Sequence, residues 1–177
     1  AKAIPKSTES CHAGESRGFF HEERGLHQVA PEHHLLVVTW FPEAMRTITL
    51  LGSTGWIGRN TLDVVRQNRE HFQIFALAAG NNIELLRDQI VVVGPRVVVT
   101  GSESGRVRLL ESLAAAGVER RCWPEVTTGP RALVEVATAG EADTVMSSIV
   151  GVAGLEATYE AVRIGKRIGL ANKEVLV

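Results

Sequence analysis

Residues 47–58 read Thr47-Ile48-Thr49-Leu50-Leu51-Gly52-Ser53-Thr54-Gly55-Trp56-Ile57-Gly58. The β-branched and apolar run over 47–51 predicts a buried strand, and glycines at 52, 55 and 58 follow where a helix begins. A tight turn at that place lets the backbone approach a pyrophosphate, while the helix N-terminus offers free N–H groups and a partial positive charge. A glycine triplet alone is a weak motif. Its position between a strand and a helix, with a second strand following, carries the signal.

Outward from this stretch the chain alternates. Strands are predicted at 47–51, 73–78, 96–100, around 121–123, 144–149 and 167–171. Helices are predicted at 57–68, 83–92, 103–116, 130–139 and 155–164. Leu62 and Val65 share one face of the first helix. Leu110, Leu113, Ala114 and Gly117 follow the period of the third, and Leu155, Thr158, Ala161, Val162 and Gly165 that of the last. Glycine or proline marks most joints, at Gly80, Gly94-Pro95, Gly117, Gly129-Pro130, Gly151 and Gly165. Strands alternating with helices of this length build right-handed βαβ units. The predicted fold is therefore α/β, a Rossmann-type doubly wound, mostly parallel sheet with helices on both faces.

Residues 1–44 differ from the rest and read as an irregular N-terminal extension, separate from a domain over 45–177. They hold five of the six histidines, His12, His21, His27, His33 and His34, without helical or finger-like ligand spacing, so a metal site is not expected there. Their six acidic residues argue against a transit peptide. The stretch 35–41 could pair as a strand. Met45-Arg46-Thr47 opens onto the first predicted strand as a start of translation would, and 1–44 is expected to be upstream sequence read through.

The 177 residues carry a net charge of −1, which gives no electrostatic case for nucleic acid or an anionic membrane. No apolar run approaches the ~20 residues of a membrane span. Cys11 and Cys122 belong to no C-x-x-C pair, and two reduced thiols in a cytoplasmic protein are expected.

Ligands of such sheets sit at the carboxyl ends of the strands, near the switch in strand order. Three loops qualify: 52–58, 79–82 and 171–174. The second decides between the nicotinamide dinucleotides, because a carboxylate there bonds the ribose 2′-OH of NAD and repels the 2′-phosphate of NADP. Here it reads Ala78-Ala79-Gly80-Asn81-Asn82, with no acid before Glu84, which favours NADP. Asn81 and Asn82 can donate amide hydrogen bonds but bring no charge. Arg59 either supplies that charge or is a solvated helix-face residue. Asn172-Lys173-Glu174 places a donor, a cation and an anion at the end of the last strand. Ser147 and Ser148 are candidates to face the nicotinamide end, and Trp123 is expected to pack.

Taken together, Gly52-Ser-Thr-Gly-Trp-Ile-Gly58, Thr61-Leu-Asp-Val-Val65, Leu77-Ala-Ala-Gly-Asn-Asn82, Val150-Gly-Val-Ala-Gly-Leu155 and Leu170-Ala-Asn-Lys-Glu174 closely resemble the N-terminal domain of the 1-deoxy-D-xylulose 5-phosphate reductoisomerase family. The resemblance covers 45–177. It implies an NADPH- and divalent-metal-dependent (Mg or Mn) oxidoreductase of non-mevalonate isoprenoid biosynthesis. Such an enzyme isomerises and reduces its small sugar phosphate substrate to 2-C-methyl-D-erythritol 4-phosphate, and it commonly forms a homodimer. It further implies that Thr54, Gly55, Trp56 and Ile57 contact the pyrophosphate of NADPH, and that Gly80, Asn81 and Asn82 contact its adenosine-phosphate end. Asn172 and Glu174 correspond to further NADPH contacts and Lys173 to a substrate contact.

Two residues depart from the family pattern. Trp56 stands where Ser is usual, and Asn81 stands where Lys or Arg is common. No residue matches the family's catalytic acids or metal ligands, so the expectation is a truncated cofactor domain, inactive alone. Another NADP-dependent dehydrogenase, or a non-catalytic dinucleotide-sensing module, stays open at this point.

Overall fold

The computed structural model describes residues 45–149 and 151–171. They fall within the compact unit Glu43–Val177. The strand expected over 35–41 and the rest of the N-terminal extension lie outside the described residues.

Six strands form one sheet in the order β4-β3-β2-β1-β5-β6, and every neighbouring pair is parallel. In chain order they are β1 (Arg46–Leu51), β2 (Phe72–Ala79), β3 (Val97–Thr100), β4 (Glu125–Thr128), β5 (Thr144–Ser147) and β6 (Arg167–Leu170). The connecting helices are α1 (Trp56–Gln67), α2 (Ile83–Val93), α3 (Glu103–Ala115), α4 (Gly129–Thr138) and α5 (Leu155–Arg163). The chain runs outward from β1 to β4, then returns to add β5 and β6 on the other side of β1. The gap between β1 and β5 is thus the switch point of the sheet.

Period-two alternation along the strands divides the core into two layers. Ile48, Leu50, Ile74, Leu77 and Val98 meet Leu62 and Val65 of α1, Leu86 and Ile90 of α2, and Leu109 and Leu113 of α3. Leu51, Ala78, Val99 and Val145 face the other way, onto Val136 and Ala137 of α4 and Ala157 and Ala161 of α5. Leu50, Leu51 and Leu77 are wholly buried, each worth about 1.5–3 kcal/mol. One residue breaks the alternation. Ile48 pairs with Ile74 and Thr49 with Ala76, so Phe75 bulges and both Phe75 and Ala76 serve the second layer.

Three expectations are corrected. The segment around 121–123 forms a 3₁₀ turn, Arg120–Cys122, and the strand follows it at Glu125–Thr128. Trp123 closes that turn as packing, with its indole Nε1 donating to the Val118 carbonyl at 2.8 Å and Arg120 over its ring. In α3 the buried stripe is Leu109 and Leu113, so Leu110 and Ala114 of the expected stripe fall outside it. In α5 Thr158 and Ala161 are buried, but Leu155 and Val162 are exposed, because the small residues face the sheet. The expectation of two reduced thiols involves Cys11, which lies outside the described residues.

No helix among the described residues is long and apolar enough to cross a membrane.

Candidate functional site

The turn after β1 is held from three directions. Gly52 and Ser53 both donate their N–H to the Ala78 carbonyl of β2, each at 2.9 Å. From α2, the Gln89 Nε2 donates to the Ser53 carbonyl at 2.8 Å. From the end of β5, the Ser148 Oγ donates to the carbonyls of Leu51 and Gly52 at 2.7 and 3.2 Å. These bonds occupy the inner side of the turn and leave its outer side to solvent.

The three glycines answer different demands. Gly52 has φ +90°, and a Cβ there would stand 2.8 Å from the Ser148 carbonyl group. A Cβ on Gly58 would collide with the carbonyl oxygens of Gly52 and Ser53. Gly55 is different. Its φ of −72° suits any residue, and a Cβ would meet only the Gly52 oxygen, at 3.4 Å. The chain's own packing does not require glycine at 55; a close external approach would.

Helix α1 starts at Trp56 with Gly55 as its N-cap, no side-chain capping bond and no acid in its first turn. Its first N–H groups therefore keep their capacity to bind an anion. Beside them opens a cavity of about 400 Å³ at the carboxyl ends of the strands. Gly52, Gly55, Ala79, Gly80, Ser148 and Ile149 are among the residues that line it. Its lining is mostly apolar and carries no charged residue, which suits a flat heteroaromatic ring.

Among the residues expected to act, Gly55 and Gly80 line the cavity directly. Gly80 leaves open space where a Cβ would stand. Thr54 and Ile57 are half-buried on the turn, and Trp56 is 76% exposed and does not line the cavity. Asn81 is exposed. Asn82 caps α2: its Oδ1 accepts from the Leu85 N–H at 3.2 Å, which leaves only the amide NH₂ for a ligand. Asn172, Lys173 and Glu174 lie outside the described residues.

Two further candidates are separated by the fold. Ser147 is buried and its hydroxyl pairs with Thr158 at 2.8 Å, so it holds α5 to the sheet and does not face the cavity. Ser148 does line the cavity. Arg59 is exposed and lines a separate hollow between α1 and α2, the helix-face reading of this residue.

Sequence reasoning missed Gln89, and also Gly101, Gly129, Pro130 and Leu133, which complete the cavity wall. Gly129 and Pro130 were legible only as a joint. A Cβ on Gly101 would lie 3.4 Å from the Gly80 Cα, which shows that the loops after β2 and β3 touch. No group of three or more His, Cys, Asp or Glu that could hold a metal ion occurs among the described residues.

An all-parallel doubly wound sheet, with a glycine turn and an apolar cavity at its switch point, defines a Rossmann-type α/β domain. Residues 48–177 match the family model described as 1-deoxy-D-xylulose 5-phosphate reductoisomerase, and the chain belongs to that family. The Solibacter usitatus 1-deoxy-D-xylulose 5-phosphate reductoisomerase is 56% identical over 133 residues, covering 75% of this chain and 34% of that protein. The chloroplastic enzyme of Mentha piperita is 45% identical over 140 residues, covering 79% of this chain and 28% of that protein. The solved structure of the Zymomonas mobilis reductoisomerase in complex with NADPH superposes with a TM-score of 0.66 at 41% identity. It covers 75% of this chain and 33% of that one. The chain thus spans about a third of the length of the relatives it matches.

Proposed function

We propose that this chain is the NADPH-binding part of a 1-deoxy-D-xylulose 5-phosphate reductoisomerase. The observation that carries the reading is Gly55, an unforced glycine at the mouth of an apolar cavity and at the uncapped start of α1. In this reading the backbone N–H groups of Thr54, Trp56 and Ile57 bind the pyrophosphate, and Gly55, whose own N–H is bonded to the Gly52 carbonyl at 3.2 Å, contacts it by letting it approach the backbone closely. The adenine enters the cavity, and Gly80, Asn81 and the Asn82 amide receive the adenosine-phosphate end. Asn172 and Glu174 add cofactor contacts and Lys173 a substrate contact. The acid-free loop over 78–82 supports NADPH against NADH.

NADPH, when bound, supplies the hydride that reduces the rearranged sugar phosphate. The chain's own residues orient the dinucleotide along the strand ends. The activity of the whole protein, isomerisation and reduction of 1-deoxy-D-xylulose 5-phosphate to 2-C-methyl-D-erythritol 4-phosphate with Mg or Mn, needs acidic metal ligands that this reading places outside the described residues. A cytoplasmic homodimer belongs to the same reading and rests on the family resemblance. So does the division of the sequence at residue 45 into an extension and a cofactor domain.

Titration with NADPH and NADH, followed by nicotinamide fluorescence, tests the proposal. Saturable NADPH binding with NADH several-fold weaker is expected. Equal affinity for both, or for neither, overturns it.

A further inference from the structure

Gln89 is the one polar residue among the four buried positions of α2, beside Ile83, Leu86 and Ile90. Its side chain is half satisfied. The Nε2 donates to the Ser53 carbonyl at 2.8 Å, while the Oε1 is buried with no hydrogen-bond partner. A buried, unpaired amide oxygen is destabilising; a methionine of similar volume would remove that cost but leave the buried Ser53 carbonyl without its donor. The side chain is kept for the carbonyl it holds.

The held carbonyl belongs to the peptide that joins Ser53 to Thr54. No peptide among the described residues is cis, so the N–H of Thr54 points opposite to the Ser53 carbonyl. Gln89 draws the carbonyl inward, toward α2, and so turns the Thr54 N–H outward. The Gly55 N–H donates to the Gly52 carbonyl at 3.2 Å, which closes a turn around the 53–54 peptide but engages neither the Ser53 carbonyl nor the Thr54 N–H. The Ser53 and Gly52 N–H groups are already committed to the Ala78 carbonyl, so they cannot orient the next peptide.

We infer that Gln89 is a positioning residue for the dinucleotide: by holding the Ser53 carbonyl it aims the Thr54 N–H at the pyrophosphate. The inference rests on the NADPH reading above and deepens it. Gln89 touches no part of the ligand and acts only through the 53–54 peptide.

The test compares wild type with Gln89→Met in the full chain, using two ligands, NADPH and adenosine 2′-monophosphate, which lacks the pyrophosphate. NADPH affinity should fall about tenfold, as one lost charge-assisted bond implies, while the monophosphate changes by less than about twofold. Equal losses for the two ligands, or no loss for either, overturn the inference. Failure of wild type to bind NADPH overturns the cofactor reading itself, whatever the variant does.

Gln89→Glu provides a second, independent readout. A protonated carboxyl can donate to the Ser53 carbonyl and an ionised one cannot. Burial raises the pKa of the introduced carboxyl, against Arg59 and Arg66 of α1, with Asp63 of α1 and Asp88 of α2 also lining the adjoining hollow. NADPH affinity of this variant should decline relative to wild type as pH rises, since titration of the ligand's own 2′-phosphate is common to both. A variant whose pH profile follows wild type overturns the assignment.

Discussion

The Ser148 hydroxyl donates a 2.7 Å hydrogen bond to the Leu51 carbonyl, tying the end of β5 to the end of β1 across the switch point. The Ser148 N–H bonds the same carbonyl at 2.9 Å. Two donors from one residue therefore fix the place where the glycine turn leaves the sheet. Because Leu51 keeps the backbone bond when the hydroxyl is lost, Ser148→Ala should cost only about 0.5–1.5 kcal/mol in a denaturant titration. A loss well above that range would show that the hydroxyl does more than brace the turn.

The glycines at 55 and 58 should separate binding from stability. Gly58→Ala forces a methyl group to within 2.6 Å of the Ser53 oxygen and should destabilise by about 1–3 kcal/mol. Gly55→Ala should stay within about 1 kcal/mol of wild type yet weaken NADPH roughly tenfold, since the new methyl occupies the approach to the phosphates. Denaturation and ligand titration on both variants check the split. The reverse ordering contradicts the reading of Gly55.

Asn81 is exposed beside the cavity-lining Gly80 and brings no charge. Replacing it with arginine adds a planar cation for the 2′-phosphate. Asn81→Arg should tighten NADPH about fivefold, equivalent to ~1 kcal/mol, and leave NADH unchanged. A parallel gain for NADH would mean that Asn81 lies away from the 2′-position.

Asn82 has two tasks that substitution can divide. Asn82→Ala removes the cap on the Leu85 N–H and should cost about 1 kcal/mol of stability. Asn82→Asp keeps the cap but sets an anion beside the adenosine ribose. It should retain the melting temperature and shift preference from NADPH toward NADH. An aspartate variant with unchanged preference would limit Asn82 to capping.

Glu103, in the first turn of α3, is held below the ordinary carboxylate range by its hydrogen bond from Arg106, at 2.7 Å from Nε, aided by the guanidinium charge. A carboxyl lowered on folding adds stability at pH values above its unfolded pKa and loses it as pH falls through its folded one. Glu103→Gln should therefore lower stability slightly at pH values above the unfolded carboxyl pKa and leave it unchanged below the folded one, flattening a small part of the acid limb. Glu103 is exposed and Arg106 half-buried, so solvent screens the pair and the effect is slight. A carbon-detected NMR titration of Glu103 reads the shift directly.

Much of this architecture was legible from residue order. The alternation of apolar runs with helical periods located nearly every element, because burial on both faces of a parallel sheet leaves a distinctive pattern. It failed at 121–123, where the Arg121-Cys122-Trp123 run reads as extended but is drawn into a 3₁₀ turn by the Trp123 indole bond to Val118. The helix faces of α3 and α5 slipped because which side packs depends on the neighbour. In α3 Leu109 meets the first core layer. In α5 Ala157 and Ala161 are small enough to let the helix approach the sheet, and Val162 is left exposed.

The sequence by itself determined the Rossmann-type class, the glycine turn and the acid-free loop after β2. Each depends on residue types at fixed local spacing, which the order of residues contains outright. Tertiary structure alone decided that Gly55, unlike Gly52 and Gly58, has no packing reason to be glycine. It also decided that Ser147 looks inward while Ser148 looks to the cavity, and that Gln89 reaches the turn from a helix 36 positions away. Those distinctions are distances between segments remote in sequence, set only when hydrophobic burial closes the two layers over the sheet.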